Sequence, residues 1–223
     1  MSNPKLSFIY IMDPMCSWCY AFQSQLEAFL QTQLDGPIQP NGLEMNWLMG
    51  GLAPDATEPM DAEFRQTLAG YWQKIEEATG TPFNHEFWET QTPIRSTYPA
   101  CRAVIAADQI KPGMAPAMVK AIQQAYYQDA LNPSLDQTLI DCAKVIGIPD
   151  DVFVSAYQSE GIEQIFVHQM QIAEQLQVQG FPALFVVAAK EDEAASAYPL
   201  ALGYCETSHL TEQFKHIVDQ VLS

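Results

Sequence analysis

A short apolar run, Leu6 to Met12, stops at Asp13-Pro14 and gives way at once to a different period, with Cys19, Phe22, Leu26, Phe29 and Leu30 falling three or four apart. Apolar side chains on both faces of the run suit a central strand, and Pro14 ends it because proline cannot donate to a ladder. The three-to-four spacing marks the buried face of a helix, ended at Asp35-Gly36-Pro37. Leu43 to Met49, closed by Gly50-Gly51, reads as a second strand. Two strands joined through a helix lie parallel, so this opening confines the chain to folds built on a β-α-β unit.

The middle of the chain reads as helical throughout. Phe64, Leu68, Tyr71, Trp72 and Ile75 share one helical face, ended by Thr79-Gly80. A second helix runs from Tyr98 to Gln109, with Ser96 or Thr97 as its cap and Pro99 in its first turn. Further helical periods follow at Met118 to Tyr126, at Leu139 to Ile146 and after Pro149. The last third then changes character. A long amphipathic helix through Ile162, Phe166 and Leu176 is broken by Gly180-Phe181-Pro182. A β-rich run, Ala183 to Ala189, has a plausible partner at Tyr198 to Tyr204 across the polar turn Glu191 to Ser196, and Thr207-Ser208 caps a closing helix. The expected architecture is α/β, a mixed sheet flanked by helices and interrupted by an all-helical insertion. The expected divisions are a core at 1–52 and 159–223 and an insertion at 53–158.

Composition narrows the function classes. Hydrophobic residues make up 48% of the 223, enough for a sizeable core. Asp and Glu number 27 against 10 Lys and Arg, a formal charge of −17. Such a surface repels phosphate backbones and anionic lipid, which argues against nucleic-acid and membrane-surface partners. No apolar run approaches the roughly 20 residues of a membrane-spanning helix. The segment Met1 to Leu6 does not read as a signal peptide, so the expected location is the cytoplasm, where thiols are kept reduced.

Against that background, two of the five cysteines, Cys16 and Cys19, are spaced as a pair where the first strand becomes the first helix. At the helix N-terminus, free N–H groups and the helix dipole favour a thiolate at Cys16. Cys19, one turn in, shares the face of Phe22 and Leu26 and should be the more buried. An exposed, reactive sulfur beside a shielded one suits thiol–disulfide exchange: Cys16 attacks a disulfide, and Cys19 then attacks Cys16 to release the product. Two other readings compete. A C-x2-C is half of a zinc site, but no second pair exists, since Cys101, Cys142 and Cys205 are scattered singly. The pair could also be inert core.

Weaker candidates surround the pair. Asp13 could take or relay the Cys19 proton, although a turn or helix-start role is commoner for Asp at such a place. Cys101 is expected to pack in a core, with a third redox thiol as the alternative. Arg95 and Arg102 stand out among so few cations. Either could hold a carboxylate of glutathione or of a peptide terminus, or simply pair with one of the many acidic residues. Tyr71, Trp72, Phe87 and Trp88 could line a groove between insertion and core, although stripes of this kind are commonly core.

Cys16-Ser17-Trp18-Cys19 at a helix start, Gly180-Phe181-Pro182 before a hairpin, and the element order together resemble the DsbA-like thioredoxin-fold proteins. Asp13-Pro14-Met15-Cys16-Ser17-Trp18-Cys19-Tyr20 and Met49-Gly50-Gly51-Leu52 are similar to the cytoplasmic FrnE-like branch of dithiol–disulfide oxidoreductases or isomerases, over essentially the whole chain. The resemblance implies that Cys16 is the nucleophile, Cys19 the resolving thiol and Pro182 a cis-proline. It also implies that an extended substrate segment pairs with backbone at Phe181, so that Ser17, Trp18, Phe181 and Pro182 meet the substrate. It implies disulfide-containing proteins or small thiols as partners. No cofactor is implied beyond the redox-active disulfide, and glutathione is a candidate co-substrate. Two departures stand out. The Ser-Trp dipeptide lacks the His that helps stabilise the DsbA thiolate, which argues for a less oxidising couple. The residue before Pro182 is a bulky Phe. The kappa-class glutathione transferases share the layout but typically place Ser where Cys16 stands. A thiol metal-binding protein and a non-enzymatic binding module complete the alternatives.

Overall fold

A computed structural model describes residues 4–34, 44–189 and 194–222. Its sheet has four strands, β1 (Lys5–Met12), β2 (Glu44–Met49), β3 (Ala183–Ala189) and β4 (Ser196–Leu202), in the order β2-β1-β3-β4. β1 runs parallel to β2, with Phe8 opposite Met45 and Tyr10 opposite Trp47. It runs antiparallel to β3, and β3 and β4 are antiparallel in turn. The central position expected for β1 and both expected strand pairings are observed.

The two faces of β1 explain why it is apolar throughout. Phe8 and Tyr10 point toward α1 (Ser17–Leu34) and α9 (Thr207–Leu222), where Phe8 meets Phe29 and Phe214 at 5.9 and 5.4 Å, and Tyr10 meets Phe22 at 6.0 Å between ring centroids. Ile9 and Ile11 lie on the opposite face with Ala173, Ala183 and Phe185, under α8 (Glu160–Gln175). A strand covered on both sides has no face left for alternating polar residues.

Between β2 and α8 lie α2 (Ala62–Thr79), α3 (Phe87–Thr90), α4 (Tyr98–Ile110), α5 (Ala115–Tyr127), α6 (Asp136–Val145) and α7 (Asp150–Tyr157). Asp61 caps α2 by accepting from the Phe64 N–H at 2.7 Å, and Gly80 ends it in the left-handed region at φ 72°. α4 is apolar nearly all round and accordingly buried nearly all round, packed by α5, α7 and α8. One continuous apolar cluster runs from the sheet into these helices.

Three details differ from the sequence reading. β4 spans Ser196–Leu202 rather than Tyr198 to Tyr204. Gly203, at φ 104°, donates its N–H to the Pro182 carbonyl at 2.8 Å and turns the chain away, which frees Tyr204 to pack on Trp18. The four-residue α3 is too short to leave a periodic signal. The face from Phe64 to Ile75 is only partly core: Trp72 and Ile75 are buried, whereas Phe64 and Tyr71 are exposed. The expected breaks at Asp35-Gly36-Pro37 and Glu191, and the strand start at Leu43, lie outside the described residues.

Candidate active site

β1 ends at Met12, and the next four residues make the turn into α1. The Cys16 N–H donates to the Asp13 carbonyl at 3.0 Å, and the Cys16 carbonyl accepts from the Tyr20 N–H at 3.0 Å, opening the first helical turn. Cys16 therefore stands at the end of α1 where backbone N–H groups are free, and Cys19 lies one turn in. Both are thiols. Cys19 is fully buried, as its apolar face predicts, but Cys16 is also largely shielded, at 6% exposed rather than open. Part of the shield is Phe181: the Cys16 thiol lies 3.7 Å from the Phe181 carbonyl, oriented to donate to it. The Phe181–Pro182 peptide bond is cis. Gly50 lies under the Phe181 ring, where a Cβ would overlap ring carbons, and the Gly50 N–H is held on the Met12 carbonyl at 2.7 Å. Gly50, directly after β2, thus makes room for the residue facing the cysteine.

Asp13 is not merely a turn former. It is fully buried, and its carboxylate accepts from four donors. Oδ1 takes the Met15 N–H at 2.8 Å, a local turn bond. Oδ2 takes the Leu52 N–H at 2.7 Å, the Thr97 hydroxyl at 2.6 Å and, at 3.4 Å, the Cys101 thiol. Two expectations change as a result. Thr97 occupies the position before α4 but caps nothing with its side chain, because its hydroxyl is committed to Asp13 and to the Ala53 N–H at 3.0 Å. Cys101 is buried as a packing residue should be, yet its thiol is directed at a carboxylate. The three long-range partners lie 39, 84 and 88 positions away, so no local pattern announces them.

Burial sets the electrostatics. It pushes the Asp13 carboxyl above its ordinary range, with the Thr97, Leu52 and Met15 hydrogen bonds pulling the other way. Burial also holds the Cys19 thiol well above the usual thiol value. The hydrogen bond and charge of Cys16 reinforce this, and so does the charge of Asp13. Tyr10 is held far up by burial and by the Cys19 and Cys16 sulfurs.

Beside Cys16 opens a cleft of about 270 Å³. Ser17, Trp18 and Phe181 stand on the Cys16 side, and Tyr71, Trp72 and Arg95 come from the helical segment. Trp18 is 39% exposed and lies 5.7 Å from Tyr204 between ring centroids. Phe87 and Trp88 instead pack behind Trp72, at 5.6 and 4.8 Å. The two arginines separate. Arg102 is paired, bidentate to Asp55 at 2.6 and 2.8 Å and to Glu163 at 3.2 Å, whereas Arg95 faces the cleft. Among the described residues no three His, Cys, Asp or Glu side chains are grouped as a metal site. Nor is any helix among them long and apolar enough to cross a membrane.

A mixed sheet with Cys-x-x-Cys where its inner strand passes into a helix, facing a cis-proline loop, defines a thioredoxin-like protein with helices inserted in the core. More narrowly, the chain belongs to the DsbA-like thioredoxin-domain family, whose model matches residues 9–200. A Nitrosomonas europaea structure provisionally described as a protein disulfide isomerase is 26% identical, with a TM-score of 0.78 over 98% of this chain and 99% of the other. The cytosolic disulfide reductase DsbM of Pseudomonas aeruginosa shares the fold at 20% identity, with a TM-score of 0.72 over 96% of this chain and 99% of its own. Among curated proteins, the ClpXP adapter protein SpxH of Halalkalibacterium halodurans is 26% identical over 182 residues, 79% of this chain. The match spans only 57% of SpxH.

Proposed function

We propose that the chain is a thiol–disulfide oxidoreductase or isomerase of the cytoplasmic FrnE-like branch, working through Cys16 and Cys19. The observation that carries this reading is the asymmetry of the pair. Cys16, at a helix N-terminus, borders an open cleft, while Cys19 behind it is fully buried. Cys16 as thiolate attacks one sulfur of a substrate disulfide. That S–S bond breaks, a mixed disulfide forms on Cys16, and the first substrate thiolate leaves and takes a proton from water. Cys19 then gives up its proton and attacks the Cys16 sulfur. The Cys16–Cys19 disulfide forms and the second substrate thiolate leaves, so two electrons pass from the dithiol to the substrate. Asp13, whose proton affinity is raised by burial and whose charge reaches Cys19, relays that second proton. The Phe181 backbone next to the cis-Pro182 bond pairs with an extended substrate segment, and Ser17 and Trp18 flank it. In a reducing cytoplasm the pair rests as a dithiol, which favours reduction or isomerisation, with glutathione as the thiol that restores it.

The test is a glutathione redox titration of the pair, with insulin reduction and refolding of scrambled ribonuclease beside it. A single two-electron transition is expected. Cys16→Ala should abolish both the transition and both activities. A pair that forms no disulfide anywhere in the titration overturns the reading, and a biological role that survives Cys16→Ala points to thiol-independent binding instead.

A further inference from the structure

Among the described residues Arg95 is the one cationic side chain lining the cleft beside Cys16, and none of them adds a carboxylate to that lining, although the chain carries a formal charge of −17. Among the described residues it is in no ion pair, in contrast to Arg102 with its two carboxylates. Its guanidinium lies over the Phe64 ring, 5.6 Å from the centroid, and among the described residues its N–H groups make no hydrogen bond. The backbone on both sides of it is fastened. Ser134 Oγ reaches the Ile94 and Ser96 carbonyls at 3.2 and 2.7 Å, and Pro59 bridges Ile94. The Arg95 charge also opposes the rise that burial imposes on the Tyr126 hydroxyl, another group lining the cleft. A guanidinium held in place without an anion, in a protein this acidic, is a site prepared for an anion brought from outside. The long-range field of the protein repels acidic molecules, so one that is to react at Cys16 needs a local counter-charge.

We infer that Arg95 is a specificity-determining residue that binds the carboxylate of a small disulfide or thiol while its sulfur reacts at Cys16. The small size follows from the cleft, which at about 270 Å³ is below the usual range of ~300–1,000 Å³ for ligand pockets. This inference rests on the oxidoreductase reading and deepens it by naming the substrate class. The chemistry is the exchange described above: reduced protein plus disulfide gives oxidised protein plus two small thiols.

The experiment measures the second-order rate constant for oxidation of the pre-reduced protein, followed by loss of alkylatable thiols, with two probes. One is oxidised glutathione, which is anionic, and the other is neutral hydroxyethyl disulfide. Arg95→Met should lower the ratio of the anionic to the neutral rate constant by roughly 10- to 100-fold, the loss expected for a charge-assisted hydrogen bond. Arg95→Lys should recover part of it. Arg95→Gln, which removes the charge but keeps a polar side chain, should lower the ratio by a similar amount and provides a second variant. A ratio unmoved by Arg95→Met, or by Arg95→Gln if the Met variant fails to fold, overturns the inference. So does an equal loss on both probes, the signature of a charge acting on Cys16 itself. If the unaltered protein reacts with neither disulfide, the oxidoreductase reading falls and takes this one with it. If it reacts with both and the ratio is insensitive, only the role of Arg95 falls.

Discussion

Asp13 is the residue on which two parts of the chain converge. Its Oδ2 gathers one donor from the segment after β2 and two from the start of α4, within a site closed to water. In Asp13→Asn, either the Met15 N–H or the three donors on Oδ2 must face an amide N–H₂ that cannot accept. The variant should lose about 1–3 kcal/mol of stability. The pH dependence has a definite sign. Burial raises the folded-state value above the ordinary 3.8, so between the two values the folded protein binds more protons than the unfolded chain. The Asp13 contribution to stability is then complete below pH 3.8, declines as pH rises through the raised folded value and is level above it. The stability advantage of the parent over Asp13→Asn should shrink correspondingly as pH rises from about 4, as read from urea unfolding at a series of pH values. An advantage that grows with pH would contradict this account of the site. From the sequence, Asp13 is legible as a turn residue or as a proton relay. Its fourfold ligation is not, because hydrogen bonds between positions so far apart leave no spacing to read.

At the scale of elements, the junctions are what bring the site together. The turn from β1 into α1 carries the cysteines, the turn after β2 carries Gly50, and the loop before β3 carries Phe181. The Phe181 ring lies against Gly50, so a methyl group there must push the ring, and with it the carbonyl facing Cys16, away from its place. Gly50→Ala should cost about 1–3 kcal/mol, as overpacking does, and should slow exchange by roughly tenfold if Phe181 docks the substrate. Urea unfolding and the oxidation rate with hydroxyethyl disulfide measure the two effects separately. A variant with both unchanged would remove Phe181 from the site. The bulge between Leu184 and Phe185 is accommodated on the outermost strand, where Pro199 of β4 forfeits no interior ladder bond.

For the molecule as a whole, the helical segment between β2 and α8 supplies more than a wall of the cleft. It contributes Thr97 and Cys101 to Asp13, and its apolar residues are continuous with those of the sheet. Replacing residues 53–158 by a short linker should therefore leave a chain without a cooperative thermal transition. Far-UV circular dichroism during heating would show this, and a sharp transition would establish the sheet and its flanking helices as an independent folding unit.

The sequence by itself determined the strand–helix order apart from α3, the inner position of β1, the two strand directions and the placement of Cys16 and Cys19 one turn apart where β1 passes into α1. Those features are written in local periodicity, in residues that stop one element and start the next, and in spacing along a single helix. Only the tertiary structure decided that Cys16 is shielded, that Thr97 and Cys101 hold Asp13 instead of capping or merely packing, and that Arg95 faces the cleft while Arg102 is already paired. Each of these depends on which distant segments meet around a buried charge or an open cleft. That is fixed by the packing of the whole core, and no window of sequence contains both partners.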